Sequence, residues 1–519
     1  MNKVIIIGGG ISGMYAAERL AEKGVKVVLV EAKDHLGGNI LTYYDKDVSY
    51  ETGAARFNTF HTQVMSLLKK YQLHIAPIQG TKLFHPILCG NKVDKDISYE
   101  YILKVIKYSD QIAVDLLKKL TFGQLCEFAL GYEKTKKLIE SFGYNAEFLI
   151  ANAYSSIRIF KEDFNGNTQY YTCVEGLSEL VRRMELNLVS MGVQILKVHM
   201  LTRFKWLDDH FQIDIYNAEL GKNVSLKGVQ LILAMPKKEL IKLDFFSPFH
   251  KTILESVTGI HLHRVYAKYS RNWMKEGVYR TTTDLQIRQF IPIDTQKGVA
   301  MVSYSDMFDA DYWKIYADMG EAKLEEAIKK QLKQLFPEKS ISKTEWIRSY
   351  FWKDGVHCWN AGIDPAKVRK ELQKIHPNLC IVGETYSLRQ GWIEGALDTV
   401  NDVISKVYKG GLIKEFNNYK DWMASFKKIT KEQLETAKNH YPQFKWVLLK
   451  LPEDKTTRIV DVTEWMNLHP GGVEPFVNHM YEDISHVFKT ISNHFEEKQK
   501  LKQHVHNMVD KYTIGILSS

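Results

Sequence analysis

The apolar pattern opens with Lys3 to Ile7, a short β-branched run that closes on glycine and predicts a buried strand. From Gly13 the apolar positions take helical spacing through Ala17, Leu20 and Ala21, and Gly24 ends the run. Val25 to Glu31 predicts a second strand, so the N-terminus reads as a β-α-β unit. Between about 98 and 165, Ile102, Val105, Ile112, Leu116 and Leu120 recur at amphipathic intervals and predict a helical insertion. Leu231 to Pro236 reads as the end of a further portion of the same domain. Val299 to Tyr304 alternates and is β-rich, so if that strand continues Asp306 shares a face with Tyr304. The periodicity breaks from Lys409 to Tyr419, a linker, and a different domain starts near 427.

The 519 residues are 45% hydrophobic and 25% charged, the balance of a soluble globular chain with two to four domains. Disorder, collagen and a membrane-embedded body are excluded. Lys and Arg number 70 against 61 acids, a net +9 spread without any long run of one sign, so no nucleic acid is expected as partner. The five cysteines, at 89, 126, 173, 358 and 380, are odd in number and never form a CxxC pair, which fits a reducing compartment. The apolar run Val4 to Ile7 is too short for a signal-peptide core, and no window approaches a membrane span. The expectation is a cytoplasmic protein with no membrane anchor.

Between the first strand and the helix stands Gly8-Gly9-Gly10-Ile11-Ser12-Gly13. Gly8, Gly10 and Gly13 fall where a dinucleotide pyrophosphate approaches backbone amides at a helix N-terminus, beside Ile11 and Ser12. Glu31 closes the second strand 18 residues after Gly13, followed by Ala32, at the spacing where a carboxylate accepts from adenosine ribose hydroxyls. The bland alternative is an ordinary β-α-β unit.

Further segments narrow the cofactor. Gly37-Gly38-Asn39, Glu51 to Arg56 with Ala55, Gly383-Glu384-Thr385 and Gly391 to Ala396 together resemble the flavin-containing amine oxidase family over roughly residues 1 to 410. The resemblance implies noncovalent FAD. It also implies an α/β fold: an FAD-binding Rossmann-type (GR2-like) domain with an α+β substrate domain and a helical insertion. The FAD-binding parts are expected at about 1–75, 190–255 and 370–410, the insertion at 98–165, and substrate strands at 166–190 and 256–369. Glu384 is implied near the flavin's ribityl and pyrophosphate, and Trp392 and Ile393 along the isoalloxazine ring. Asn39 departs from the family, most of whose members carry arginine beside the phosphates. Cys358 stands where covalently flavinylated relatives carry their attachment cysteine, without their flanking glycines.

On the substrate side, Arg56 and the stretch Thr281 to Gln289 leading into Val299 to Tyr304 look like the L-amino acid oxidases. The resemblance implies that Arg56 and Tyr304 clamp a substrate carboxylate, since a guanidinium fork matches a carboxylate bidentately and a phenol adds a donor. A structural ion pair for Arg56 and a core position for Tyr304 are the alternative. An acid at Asp306 would favour a cationic side chain, lysine or arginine, unless Asp306, Asp309 and Asp311 simply solvate a strand end. Most relatives carry a lysine beneath the flavin; aligning Trp273 with the family's tryptophan puts His263 in that slot, with Arg264 if the register slips by one and an inert strand histidine the alternative. The implied reaction passes a hydride from the α-carbon to flavin, and water converts the imino acid to keto acid and ammonia.

The tail carries a second resemblance. Ile429 to Leu434, Trp446 to Leu449, Ile459 to Thr463, His469-Pro-Gly-Gly472 and Lys511 to Ile516 resemble cytochrome b5 in order, a small α+β domain over 427–519 after a linker at 411–426. This implies heme b, with His469 as one axial ligand and His494, 25 residues on, as the second, His486 being the competitor. Electrons would then pass from flavin to this heme, to oxygen, or to a redox protein. A heme-free version of the fold, a polyamine or other amine oxidase, and a flavin and heme electron-transfer protein without turnover are the other readings.

Overall fold

Five short parallel strands, apolar on both faces, form the first sheet in the order Gln194–Leu196, Lys26–Val30, Lys3–Ile7, Gln230–Leu233, Leu379–Ile381. Val4 to Ile7, Val27 to Val30 and Leu231 to Leu233 are all buried, as a sheet covered on both sides requires. The computed structural model describes residues 3–45, 48–78, 87–88, 91–92, 97–164, 166, 168–271, 273–275 and 277–409, and in the tail 429–431, 434–435, 438, 445–451, 454–463, 479–486, 507 and 509–517. The chain divides into two units, Met1–Leu412 and Ile413–Ser519.

The helix Ile11–Ala21 follows the first strand and packs against Leu177–Ser190 and Ile393–Lys409. The other face of the sheet meets an antiparallel sheet of His199–Leu207, His210–Asn217 and Lys222–Gly228, whose Phe211, Ile213 and Ile215 are buried against Ile5, Val28 and Leu231. Each such side chain contributes about 1.5–3 kcal/mol on burial. Residues 166–190 are a correction to the expected substrate strands: only Tyr170–Cys173 is a strand, and Leu177–Ser190 is a helix of the dinucleotide fold. Its buried Leu177, Leu180, Val181, Met184 and Leu188 have helical spacing.

The second large sheet has the order Thr281–Thr282, Gln289–Asp294, Val299–Asp306, Val257–Tyr269, Thr344–Trp359. Val257–Tyr269 lies between Val299–Asp306 and Thr344–Trp359, antiparallel to both. Arg264 pairs with Tyr304, His263 with Ser305 and Leu262 with Asp306. A register shift between the Val265 and Tyr266 pairings leaves Met301 opposite Tyr266, so Met301 and Tyr304 share a face despite their odd separation. The opposite face, with Val265, Ala267 and Val302, packs under the helices Met307–Asp318, through Trp313, and Glu321–Leu335.

Six helices between Ile97 and Asp163 form the insertion, around Phe122, Leu125, Leu138, Phe148 and Phe160. Thr121 starts one of them with a capping box to Gln124.

In the tail unit, Trp446–Leu449, Arg458–Asp461 and Thr513–Ile516 form an antiparallel sheet with both faces buried. Ile429 and Leu434 pack on one face. The linker at 411–426 and both expected heme ligands, His469 and His494, lie outside the described residues. Among the described residues no helix is long and apolar enough to cross a membrane.

Candidate active site

A cavity of about 1530 Å³ runs along the carboxyl ends of the parallel strands and on to the second large sheet, the place where open α/β sheets bind their ligands. Gly8, Gly10, Ile11, Ser12, Glu31, Ala32, Gly38, Asn39, Ala55, Arg56, Tyr304, Glu384, Trp392 and Ile393 all line it; Gly13 and His263 do not.

The glycine loop explains one end. Gly8 has φ +106°, and a Cβ there would lie 2.2 Å from the Ala234 carbonyl oxygen. A Cβ on Gly13 would lie 1.9 Å from the Gly8 carbonyl oxygen, so Gly13 serves close helix-to-strand packing behind the cavity wall. Gly10 caps the helix Ile11–Ala21 with no side-chain hydrogen bond, leaving the first-turn amides for an anion. Glu31 accepts from Gly9 N at 2.6 Å and Lys33 N at 2.8 Å, which holds its carboxylate at the wall. Asn39 donates to the Asp354 and Gly355 carbonyls at 3.3 and 3.1 Å, a loop tie where the family arginine would add charge. Glu384 accepts from His357 N at 2.9 Å, His357 Nδ1 at 2.8 Å and Gly391 N at 2.6 Å. A long cavity with an uncapped helix start at a glycine loop and two fixed carboxylates fits an extended dinucleotide such as FAD.

At the substrate end the Arg56 guanidinium lies 5.5 Å from the Tyr170 ring centre and 5.9 Å from that of Trp392. Among the described residues it has no hydrogen-bond acceptor and no ion pair. Burial opposes its charge, yet the phenols of Tyr144, Tyr170 and Tyr304 and the Asp163 carboxylate leave it firmly protonated. Tyr304 stands edge-on to Tyr144 at 5.3 Å and accepts from Arg264 Nη2 at 3.2 Å. Burial raises the Tyr304 phenol, but the Arg264 and Arg56 charges outweigh it and leave the group below its ordinary value.

The structure corrects His263. Its side chain points to the helix face of the sheet, where Nδ1 meets the Ala310 carbonyl at 3.2 Å and the ring packs edge-on to Phe351. Burial depresses it to about 4, so it is neutral at neutral pH. Arg264, one residue on, faces the cavity instead.

Asp306 is a second correction. It does line the cavity beside Tyr304, but its carboxylate accepts from Asn145 N, Ala146 N and Asn145 Nδ2 at 2.7–3.2 Å. It thereby starts the short helix Ala146–Leu149. A second acid beside it is Glu147, whose Oε2 is buried without a partner among the described residues. Burial, with Asp306 and Asp163 adding, pushes its carboxyl up to about 8.

Sequence reasoning missed Glu147, Tyr144, Tyr170, Arg280 and His357, all of which line the cavity except Tyr170, which stacks on Trp392 at 6.2 Å. The available signal was an acid within the apolar run Ala146 to Ala151. Cys358 is buried on the cavity wall, and burial with the nearby Glu147 and Glu384 carboxylates raises its thiol well above the ordinary range. A protonated thiol is a poor nucleophile.

Residues 6–71 match the profile of NAD(P)-binding Rossmann-like domains, and 100–399 that of flavin containing amine oxidoreductases. Aplysianin-A of Aplysia kurodai is 23% identical over 508 residues, covering 79% of this chain and 91% of its own. An L-amino-acid oxidase of Siganus canaliculatus is 21% identical over 480 residues, covering 80% and 87%. Flavin-containing amine oxidase B of Rattus norvegicus is 39% identical over 84 residues, 16% of each chain.

Proposed function

The chain belongs to the flavin containing amine oxidoreductase family and is an FAD-dependent amine or amino acid oxidoreductase; from that premise we propose that it oxidises the α-amine of an L-amino acid with a basic side chain. The observation that carries this reading is Arg56, a cavity-lining residue with no carboxylate ion pair among the described residues. Arg56 is half-buried, and a ligand that excludes the remaining water from it leaves its charge costly unless that ligand supplies the acid. A substrate carboxylate placed there completes Arg56 and receives the Tyr304 hydroxyl. That orientation presents the α-carbon inside the cavity, while the Tyr170 and Trp392 rings flank the guanidinium.

FAD supplies the hydride acceptor when bound. Gly8 to Ser12 and Glu31 would hold its dinucleotide portion and Glu384 its ribityl region, noncovalently in view of Cys358. Loss of hydride from the neutral amine leaves an imino acid, and water converts this to keto acid and ammonia. Glu147, with Oε2 buried without a partner among the described residues and with Asp306 and Asp163 nearby, supports the basic preference, because a side-chain cation would ionise and pair with it. Oxygen or a second redox centre takes the electrons.

For the tail we propose a b5-type heme bound through His469 and His494, on the order of its sequence segments and the intact His-Pro-Gly-Gly turn. Cysteine usage supports a cytoplasmic setting. Turnover is tested by anaerobic bleaching of the flavin with L-lysine, D-lysine, L-norleucine and spermidine, with ammonia release read for the amino acids. L-lysine leading the series is the expected result, and spermidine leading it would make the protein a polyamine oxidase.

A further inference from the structure

Arg264 occupies a position that its neighbours make unusual. It is 7% exposed and has no carboxylate ion pair among the described residues. Nearby Glu51 is itself taken up, accepting from Leu177 N at 2.7 Å and Thr42 Oγ1 at 2.8 Å. The guanidinium is satisfied otherwise. Nη1 donates to the Glu51 carbonyl at 3.0 Å and to the Gly53 carbonyl, both on the loop that leads into Arg56. Nη2 donates to the Tyr304 hydroxyl oxygen at 3.2 Å, and the guanidinium carbon lies 4.4 Å from the Tyr304 ring centre. Tyr266 and Trp352 hold the same loop, donating at 2.7 Å to the Glu51 and Thr52 carbonyls.

We infer that Arg264 is the positioning residue of the carboxylate site, one planar fork that holds the Arg56 loop and the Tyr304 ring in a single geometry. The inference rests on the L-amino acid reading above. Its chemistry follows from donor and acceptor counts. A phenol has one proton, and an oxygen that accepts from Arg264 keeps that proton free to donate to a ligand. The cross-strand pairing of Arg264 with Tyr304 fixes the distance between the two side chains. A lysine in this slot would present three donors from one nitrogen and could not reach the loop carbonyls and the phenol as two separated nitrogens do. Arg264 therefore acts through Arg56 and Tyr304 and has no contact of its own to make with the substrate.

The test uses the full-length, FAD-loaded protein and two probes, benzoate and its uncharged amide benzamide, titrated through the flavin absorbance. Arg264→Met and Arg264→Lys should each weaken benzoate about tenfold or more, the worth of a charge-assisted hydrogen bond, while benzamide changes less than about twofold. KM for L-lysine should rise by a similar factor with kcat changed far less. In a Tyr304→Phe background the Arg264→Lys loss should shrink, since the two residues form one unit. Equal weakening of both probes, full rescue by lysine, or an additive double variant would overturn the inference. Should Arg264→Met fail to retain FAD, Arg264→Lys and the double variant carry the same comparison. Wild-type protein that neither prefers benzoate to benzamide nor releases ammonia from any L-amino acid would instead overturn the underlying reading, and this inference with it.

Discussion

Glu147 sits where burial, Asp306 and Asp163 all oppose its ionisation, and its carboxyl is pushed up to about 8. The unfolded chain ionises it near 4.5, so the fold loses stability as pH rises from about 4.5 to about 8. Glu147→Gln should flatten that part of the stability curve, read by thermal unfolding across the range. The same substitution should cut the preference for L-lysine over L-norleucine by about tenfold, the worth of one ion pair in a dry site. A preference that survives the substitution would remove Glu147 from substrate selection. At the neighbouring strand, His263→Gln should leave the pH dependence of flavin reoxidation unchanged, because the imidazole is neutral and faces the helices. A shifted profile in stopped-flow reoxidation would return His263 to the chemistry.

At the scale of elements, Asp306 links the end of a strand to the start of the helix Ala146–Leu149, far away in sequence. Asp306→Ala should leave two backbone amides without acceptors and cost about 1–3 kcal/mol, measured as a lowered unfolding midpoint of the FAD-bound protein. The first strand, the glycine turn and the first helix were legible because local spacing dictates them: β-branched residues, then glycines, then a 3.6-residue period. The Tyr304 and Asp306 face was legible too, from alternation over the end of one strand. The choice between His263 and Arg264 was not. Val257–Tyr269 lies between two other strands with both of its faces largely covered, so apolar and polar residues do not alternate along it. Nor could spacing reveal that Asp306 is spent on a helix start, since its partners come from another element. Leu177–Ser190 was misassigned although its buried positions have clear helical spacing.

At the scale of the molecule, the cavity draws its walls from the parallel sheet, the antiparallel sheet and the helical insertion, so one site is built from segments spread over nearly 400 positions, from Ile7 to Ala396. The tail forms a separate unit. If it binds heme, the purified full-length protein should show a Soret band that His469→Ala abolishes while the flavin bands stay; flavin bands alone in the wild type would withdraw the heme assignment. On the function proposed above, this cavity oxidises an amine only when a carboxylate sits on Arg56 and Tyr304. The most direct measurement of this is the flavin absorbance of the anaerobic protein on adding L-lysine, set against 1,5-diaminopentane, the same molecule without its carboxylate. L-lysine should bleach the flavin and the diamine should leave it oxidised. Bleaching by both at equal rates, or by the diamine alone, would contradict that function.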